Sequence, residues 1–270
     1  MQRAVRYETD RGVYVMRTAI FITIRMDSSR LPNKTMRTIL GKPVLEHIVQ
    51  RAKLAGKFSD IVVCTTEREV DNQIADLAEK LGVKVFRGSL EDKLERWNGA
   101  ARKYNIDFIV TFDGDDLFCE PVLLDMGSEQ IQNGRYDFIE APKGLICGAF
   151  TYAFTAKALE KVCEIKGSSD TEMMWTYFKD TGLFRTGCLE EVEGTYFSDE
   201  YRLTLDYPED FEFFTKVFEH FNCVKNDVPL REIVSYLKEH PEIPQINIGR
   251  QQEFLENQKK KTKLVLKEHK

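Results

Sequence analysis

Apolar segments alternate with amphipathic segments along the first half of the chain. Four segments are apolar and rich in β-branched or aromatic residues, as buried strands are; they are 19–24, 60–66, 83–86 and 108–112. Three segments between them repeat apolar residues at helical spacing; they are 43–54, 70–81 and 91–104. This alternation predicts parallel βαβ units, and therefore a Rossmann-like α/β fold with a mostly parallel mixed sheet and helices on both faces.

The second half of the chain has a less regular pattern. We predict strands over 136–140, 144–154, 184–193 and 201–205, and helices over 121–133, 155–165, 173–179, 208–221 and 228–238. Two glycines within 144–154 favour a bulge or turn in that strand. Thr155 is a suitable N-cap for the helix that follows it.

The 270 residues are enough for one large α/β domain. Residues 1–17 are charged throughout and precede the first strand, so we interpret them as an N-terminal extension outside the fold. We expect residues 18–245 to form the single domain and residues 246–270 to form a charged C-terminal tail.

Composition excludes several classes of function. The net charge of −5, with 42% apolar and 31% charged residues, describes an ordinary globular protein and argues against general binding to nucleic acid or to membrane surfaces. The sequence has no run of 18 apolar residues and no signal-peptide pattern. Its six cysteines form no CxxC, and its four histidines have no metal-ligand spacing. We therefore expect a cytoplasmic protein with no nucleic-acid or membrane partner.

Basic and hydroxyl residues follow the first predicted strand abruptly. They are Arg25, Ser28, Ser29, Arg30 and Lys34, placed around a Pro-Asn turn. Guanidinium groups bind phosphate oxygens in pairs, an ammonium adds a point charge, and hydroxyls add donors, so this loop suits a polyphosphate. The alternative is a solvated basic loop.

A cluster of carboxylates follows the strand predicted over 108–112. Asp113-Gly-Asp-Asp116 offers hard oxygen ligands that suit Mg²⁺ bridged to substrate phosphates, although aspartates in a solvated turn are the alternative. Ligands of parallel sheets bind at the carboxyl ends of the strands, and both this cluster and the basic loop are predicted at that edge. Their coincidence favours a binding site.

Three stretches resemble motifs of one known family. They are Arg25-Met-Asp-Ser-Ser-Arg-Leu-Pro-Asn-Lys34 with the following Leu40-Gly-Lys-Pro-Val-Leu-Glu-His47, the turn Asp113-Gly-Asp-Asp116, and Arg202-Leu-Thr-Leu-Asp-Tyr-Pro-Glu-Asp-Phe211. The chain is similar to the spore coat polysaccharide biosynthesis protein F family, which is related to the CMP-ketodeoxyoctonate and CMP-acylneuraminate synthetases. The resemblance covers about residues 18–240 and implies a GT-A-like nucleotidyltransferase fold.

The chain departs from the family pattern in two turns of the basic loop. Asp27 and Asn33 stand where relatives usually have glycine, and both residue types tolerate a positive φ better than most. A carboxylate at Asp27 repels a triphosphate unless it points away or binds a cation. The acceptor motif also differs, because Thr171 and Met173 stand where relatives have Arg and His.

The resemblance implies a role for each candidate site residue. The implied catalytic residues are Arg25, Lys34 and Asp115, and the implied Mg²⁺ ligands are Asp115 and Asp206. The implied nucleotide-binding residues are Arg25, Ser28, Ser29, Arg30, Lys34, Arg87, Ser89 and Asp92. The implied acceptor-binding residues are Asp170, Glu172 and Arg202. For Asp210 we predict a helix-capping role instead of a metal.

The predicted function is Mg²⁺-dependent transfer of CMP from CTP to a sugar acid or related surface-polysaccharide precursor, with release of pyrophosphate. The resemblance makes a nucleoside triphosphate and a small-molecule acceptor the expected partners, and it allows a homodimer. A GT-A-fold glycosyltransferase is the alternative, since Asp113-Gly-Asp115 is the Asp-x-Asp pattern of those enzymes. A nucleotide-binding homologue without activity is a third hypothesis, based on Asp27 and the changed acceptor motif.

Overall fold

The computed structural model describes residues 6–9 and 12–268 of the chain. Its strands are β1 (Arg6–Thr9), β2 (Gly12–Val15), β3 (Thr18–Thr23), β4 (Thr38–Ile39), β5 (Lys42–Pro43), β6 (Asp60–Thr66), β7 (Lys84–Gly88), β8 (Phe108–Asp113), β9 (Phe138–Glu140), β10 (Tyr152–Thr155) and β11 (Thr186–Cys188). Its helices are α1 (Val44–Ala52), α2 (Asn72–Lys80), α3 (Lys93–Tyr104), α4 (Pro121–Gln132), α5 (Ala156–Ile165), α6 (Trp175–Lys179), α7 (Pro208–Phe221), α8 (Leu230–Glu239) and α9 (Gln251–Lys261). Single 3₁₀ turns lie at Lys34–Met36, Glu69–Asp71, Gly194–Tyr196, Pro244–Ile246 and Ile248–Arg250.

A seven-stranded mixed sheet forms the centre of the protein. Its strand order is β11-β9-β10-β8-β3-β6-β7. Strand β3 pairs in parallel with β6 on one side and with β8 on the other, while β10 runs antiparallel to its two neighbours. The predicted α/β class with a mostly parallel mixed sheet is confirmed.

Helices cover both faces of this sheet because successive strand residues point to opposite sides. Ile20 and Ile22 of β3 are buried in one core, which α1, α2, α4, α7 and α8 complete. Ala19 and Phe21 of the same strand are buried in a second core beneath α3, α5 and α6. A strand buried on both faces is apolar throughout, which explains the sequence of β3.

Side-chain caps fix where several helices begin. The Thr155 hydroxyl accepts a hydrogen bond from Ala158 N at 3.0 Å, which confirms its predicted N-cap role. Asp92 caps α3 in the same way through Glu95 N at 3.0 Å. Within the described part of the chain, every helix is too short or too polar to cross a membrane.

The strand predicted over 201–205 is wrong, and only part of the one over 144–154 forms. Residues 144–151 make a loop before β10, since Gly144 and Gly148 adopt φ values of 85° and 93° that interrupt an extended strand. Residues 201–205 form hydrogen bonds with distant loops instead of with a strand. Leu205 N donates to Asp115 O at 2.8 Å, so this segment is held at the carboxyl end of β8.

Both ends of the described chain contain regular structure. Strands β1 and β2 pair with each other in a separate two-stranded sheet. At the other end, α9 lies within the segment predicted as a charged tail, and Lys267 N donates to Ile165 O at 2.9 Å. The division of the chain at residues 17 and 245 stays a prediction.

Candidate active site

A cavity of about 670 Å³ opens at the carboxyl ends of β3 and β8. The loop after β3 forms one wall, and the 113–116 turn after β8 forms its floor. Other parts of the wall come from residues 90–96, from the loop before β10, from residues 172–175, from residues 204–206 and from α9. The predicted meeting of the basic loop and the aspartate cluster at one sheet edge therefore occurs.

Lys34 connects the two carboxylates that the resemblance implies as metal ligands. Its Nζ lies 3.0 Å from Asp115 Oδ2 and 3.3 Å from Asp206 Oδ1, and it donates to Leu205 O at 2.8 Å. Asn33 adopts a φ of 57° at the start of the 3₁₀ turn that carries Lys34. An asparagine tolerates this positive φ, and the turn that follows from it directs Lys34 toward the two carboxylates.

Burial and neighbouring charges shift the pKa values of Lys34, Asp115 and Asp206. Burial alone raises the pKa of Asp206, but Lys34, Arg30 and Arg202 outweigh it and lower that pKa to about 2. Burial raises the pKa of Asp115, and the attraction of Lys34 offsets this only in part. Burial also opposes the charge on Lys34, yet the two aspartates raise its pKa. Asp206 and Lys34 therefore form an ion pair at neutral pH.

A fully buried arginine holds Asp206 from behind. Arg202 Nη2 donates to Asp206 Oδ2 at 3.1 Å, which leaves Oδ1 to face Lys34 and Arg30. Arg202 Nε also donates to Asp210 Oδ1 at 2.9 Å. The predicted capping role of Asp210 is confirmed, because its Oδ2 accepts Tyr207 N at 2.9 Å at the start of α7.

Arg68 compensates the charge of Asp27. Arg68 Nη1 donates to Asp27 Oδ2, and Arg68 Nη2 donates to Asp71 Oδ2 at 3.1 Å. Asp71 is buried and accepts Met26 N at 2.7 Å, so it also fixes the backbone of the basic loop. Asp27 is thus paired with a cationic side chain, which reduces the repulsion between its carboxylate and a triphosphate. Sequence reasoning missed Arg68 and Asp71, which carry no motif of their own.

The remaining predicted residues of the basic loop face or shape the cavity. Arg25 Nη1 donates to Leu90 O at 3.3 Å, and Arg25 Nη2 lies 3.7 Å from Glu172 Oε2. The Ser28 hydroxyl accepts Leu31 N at 3.2 Å and closes the turn. The predicted residues that line the cavity are Arg25, Ser28, Ser29, Arg30, Lys34, Asp115, Glu172 and Asp206.

Five predicted site residues do not line the cavity; they are Arg87, Ser89, Asp92, Asp170 and Arg202. The Arg87 guanidinium donates to Thr66 O at 3.0 Å and to Asn72 Oδ1 at 2.6 Å, so its hydrogen bonds go to neighbouring protein atoms and not to the cavity. Ser89 and Asp92 order the start of α3 through the Asp92 N to Ser89 Oγ bond of 3.1 Å. These three residues therefore support the cavity wall without lining it, whereas their neighbours Leu90, Glu91, Lys93 and Arg96 line it.

Comparisons with known proteins agree with this geometry. A family model described as cytidylyltransferase matches residues 19–260. An uncharacterized protein of Methanocaldococcus jannaschii, MJ1063, is 34% identical over 229 residues, which is 84% of this chain and 92% of the relative. The spore coat polysaccharide biosynthesis protein SpsF of Bacillus subtilis is 29% identical over 231 residues, which is 82% of this chain and 94% of the relative.

A solved structure of a cytidylyltransferase from Leptospira borgpetersenii superposes with a TM-score of 0.77 at 29% identity. The superposition covers 85% of this chain and 97% of that one. These matches confirm the resemblance drawn from the three sequence motifs. The chain belongs to the cytidylyltransferase family and is a nucleotidyltransferase of that kind.

Proposed function

We propose that this protein transfers CMP from CTP to a sugar acid or related surface-polysaccharide precursor, with Mg²⁺ and with release of pyrophosphate. The observation that carries the proposal is the convergence of Asp115 and Asp206 on Lys34, next to a loop that contributes Arg25 and Arg30. The family supports the reaction class. The polysaccharide role in the name of the Bacillus subtilis relative supports the class of acceptor.

The two aspartates suit a magnesium ion. Mg²⁺ takes one or two protein carboxylates and completes its shell with water and substrate phosphates. Asp115 Oδ2 and Asp206 Oδ1 both contact the Lys34 ammonium, at 3.0 and 3.3 Å, so Mg²⁺ held by this pair would displace Lys34 toward the phosphates that it is proposed to bind. Among the described residues, no group of three or more His, Cys, Asp or Glu is arranged to hold a metal. Bound there, Mg²⁺ would neutralise charge on the α-phosphate.

The basic residues of the loop would position the nucleotide. Arg25, Arg30 and Lys34 would bind oxygens of the triphosphate, where three positive charges offset the charge that develops as the α-phosphorus is attacked. An acceptor oxygen attacks this phosphorus in line, its bond to phosphorus forms, and the bond to the pyrophosphate oxygen breaks. The protein contributes mainly by holding both reactants in this geometry.

The glycosyltransferase alternative has less support from the arrangement of the aspartates. Asp113 Oδ1 lies 3.4 Å from Lys93 Nζ, whereas Asp115 meets Asp206 at Lys34. The pair that converges is thus the one implied by the cytidylyltransferase resemblance and not the Asp-x-Asp pair. The hypothesis of an inactive homologue also loses support, because Arg68 provides a counter-charge for Asp27.

The test is release of pyrophosphate with Mg²⁺ and each of the four nucleoside triphosphates. A panel of sugar acids, sugar phosphates and phosphonates supplies the acceptor. We expect release with CTP and one class of acceptor. Transfer from nucleotide sugars, with no pyrophosphate release from any combination, would move the protein to the glycosyltransferases.

The variant Asp115→Ala tests the role of the aspartate pair. We expect turnover to fall at least about 100-fold with folding retained, because Asp115 lies at the cavity surface and not in the apolar core. Asp199→Ala is the control, since Asp199 is exposed and lies outside the cavity. An Asp115→Ala enzyme as active as this control would contradict the metal role.

A further inference from the structure

Six basic side chains of the described residues line the cavity. Five of them form ion pairs with carboxylates; they are Arg25, Arg30, Lys34, Lys93 and Lys261. The sixth, Arg96, has no ion-pair partner among the described residues, although its residue is only 4% exposed. A buried guanidinium without a counter-charge is costly, so a folded protein keeps one only where something else offsets that cost.

One edge of the Arg96 guanidinium, formed by the enclosed Nε and by Nη2, has no hydrogen-bond partner among the described residues. The third nitrogen, Nη1, donates to the carbonyl oxygens of Ser89 and Leu90. The Nε and Nη2 edge of a guanidinium can donate two parallel hydrogen bonds to a carboxylate or a phosphate.

A second guanidinium lies next to Arg96. Arg25 Nη1 donates to the same carbonyl, Leu90 O, at 3.3 Å, against 3.4 Å for Arg96 Nη1. Burial lowers the pKa of Arg96, as does the charge of Arg25, and the more distant carboxylates Asp71 and Asp92 offset this only in part. Glu172 Oε2 approaches Arg25 Nη2 at 3.7 Å, so a carboxylate of the protein already lies at this end of the cavity. Two guanidinium groups therefore lie side by side here, and the carboxylate of Glu172 contacts only the outer one, Arg25.

The position of Arg96 is rigid. It lies on α3, whose first turn is capped by Asp92 and whose apolar side is buried in the second core through Leu94 and Trp97. Gly88 allows the close approach, because a Cβ there would lie 3.2 Å from Arg96 Cγ. A group held on a packed helix is positioned for a ligand before the ligand arrives.

We propose that Arg96, with Arg25, forms an oxyanion subsite that binds a negatively charged group of a substrate. The inference rests on the proposed function for the identity of that substrate. The oxyanion is either the polyphosphate of the nucleotide or the acid group of the acceptor, since both present oxygens that a guanidinium edge binds in the same way.

Binding measured without turnover separates these two sources. Isothermal titration calorimetry compares CTP, cytidine and the sugar acid 3-deoxy-manno-octulosonate on the full chain and on Arg96→Gln and Arg96→Lys. Arg102→Gln is the matched control, because Arg102 lies on the same helix, is 62% exposed and pairs with Glu160 at 2.8 Å outside the cavity. Circular dichroism checks that each variant is folded.

A phosphate ligand predicts that Arg96→Gln weakens CTP binding at least about tenfold and leaves cytidine within about twofold. An acceptor ligand predicts the same loss for the sugar acid, with CTP unchanged. Arg96→Lys keeps the charge without the paired donors, so it weakens the same ligand by a smaller factor. Equal losses for all three ligands, or values equal to those of Arg102→Gln, would overturn the subsite.

Arg96→Lys carries the test if Arg96→Gln does not fold. It must weaken the charged ligand selectively over cytidine, and a failure to do so contradicts the proposal. Pyrophosphate release by the unaltered protein is measured separately. Its absence would contradict the proposed function alone, while release together with binding that is independent of Arg96 would contradict the subsite alone.

Discussion

Gly114, directly after β8, lies close to the end of β3, and its N–H donates to Thr23 O at 3.0 Å. A Cβ added there would lie 2.6 Å from Thr23 O and 2.7 Å from Ile24 Cβ and Cγ1. Real Cβ contacts essentially never fall under 3.0 Å. Thr23 O belongs to the backbone and Ile24 Cβ is attached directly to it, so neither atom can rotate away as the tip of a flexible side chain can. The variant Gly114→Ala must therefore push the 113–116 turn away from β3.

The size of the effect follows from this displacement. Relief of the overlap needs a shift of roughly 0.5 Å, and overpacking of this kind costs about 1–3 kcal/mol of the free energy of unfolding. Asp115 is the next residue and moves with the turn, so its carboxylate leaves its place opposite Asp206. A misplacement of about 1 Å can lower a rate about 100-fold, and we expect a loss of about 10- to 100-fold in pyrophosphate release.

Urea unfolding and the pyrophosphate assay measure the two effects on the same preparation. Gly249→Ala is the control, because a Cβ at Gly249 would have no atom within 4 Å and its φ is not positive. We expect this control to stay within about 0.5 kcal/mol of the unaltered protein. If Gly114→Ala matched the control in both stability and rate, the close approach would not determine the geometry of the site.

Two further predictions concern buried and surface ion pairs. Asp210→Ala removes a carboxylate partner of the fully buried Arg202, so it should lower the free energy of unfolding by about 3–5 kcal/mol in chemical denaturation, and a loss below about 1 kcal/mol would contradict this. Hydrogen bonds from Arg185 lower the pKa of Asp137, so the contribution of Asp137 is complete above the ordinary aspartate pKa of about 3.9 and is lost as the pH falls through the lower folded-state value. Asp137→Asn should therefore reduce stability at pH 7 and flatten its decline between about pH 5 and pH 2, and an unchanged slope in acid unfolding would refute the assignment.

Local patterns were sufficient for the elements that pack directly on the sheet. The strand over 60–66 and the helix over 208–221 have the predicted bounds. In the first case an apolar run is bounded by polar residues. In the second, Pro208 begins the helix and Asn222 ends it with a φ of 50°. These signals depend only on neighbouring residues, so the boundaries can be predicted without knowledge of the rest of the fold.

Local patterns failed where the backbone binds a distant loop. Residues 201–205 carry alternating apolar side chains as a strand does, but Leu203 N pairs with Cys147 O across the sequence. Spacing alone does not reveal such a partner. The helix α9 was missed for a similar reason, since it is polar nearly throughout and no residue in it is fully buried.

The same contrast holds for the candidate site. Motifs and the rule for parallel sheets brought Arg25, Lys34 and Asp115 to one cavity, because that rule depends only on strand direction. Neither the motifs nor this rule could show that Arg87 binds backbone carbonyls nearby, or that no described carboxylate lies within ion-pair distance of Arg96. Both facts depend on which acceptors lie within about 3 Å of one guanidinium edge, and only packing determines that.

The central place of β3 in the sheet has a consequence for synthesis of the protein. This strand is made first among those of the main sheet, but its partners β6 and β8 end about 40 and 90 residues later. At about 5–20 residues per second, roughly 5–20 seconds pass on the ribosome before both of its edges can be paired. Until then an apolar segment with open edges is available to chaperones and to neighbouring nascent chains. A strand that is buried on both faces in the finished enzyme is therefore a site of possible aggregation while the enzyme is being made.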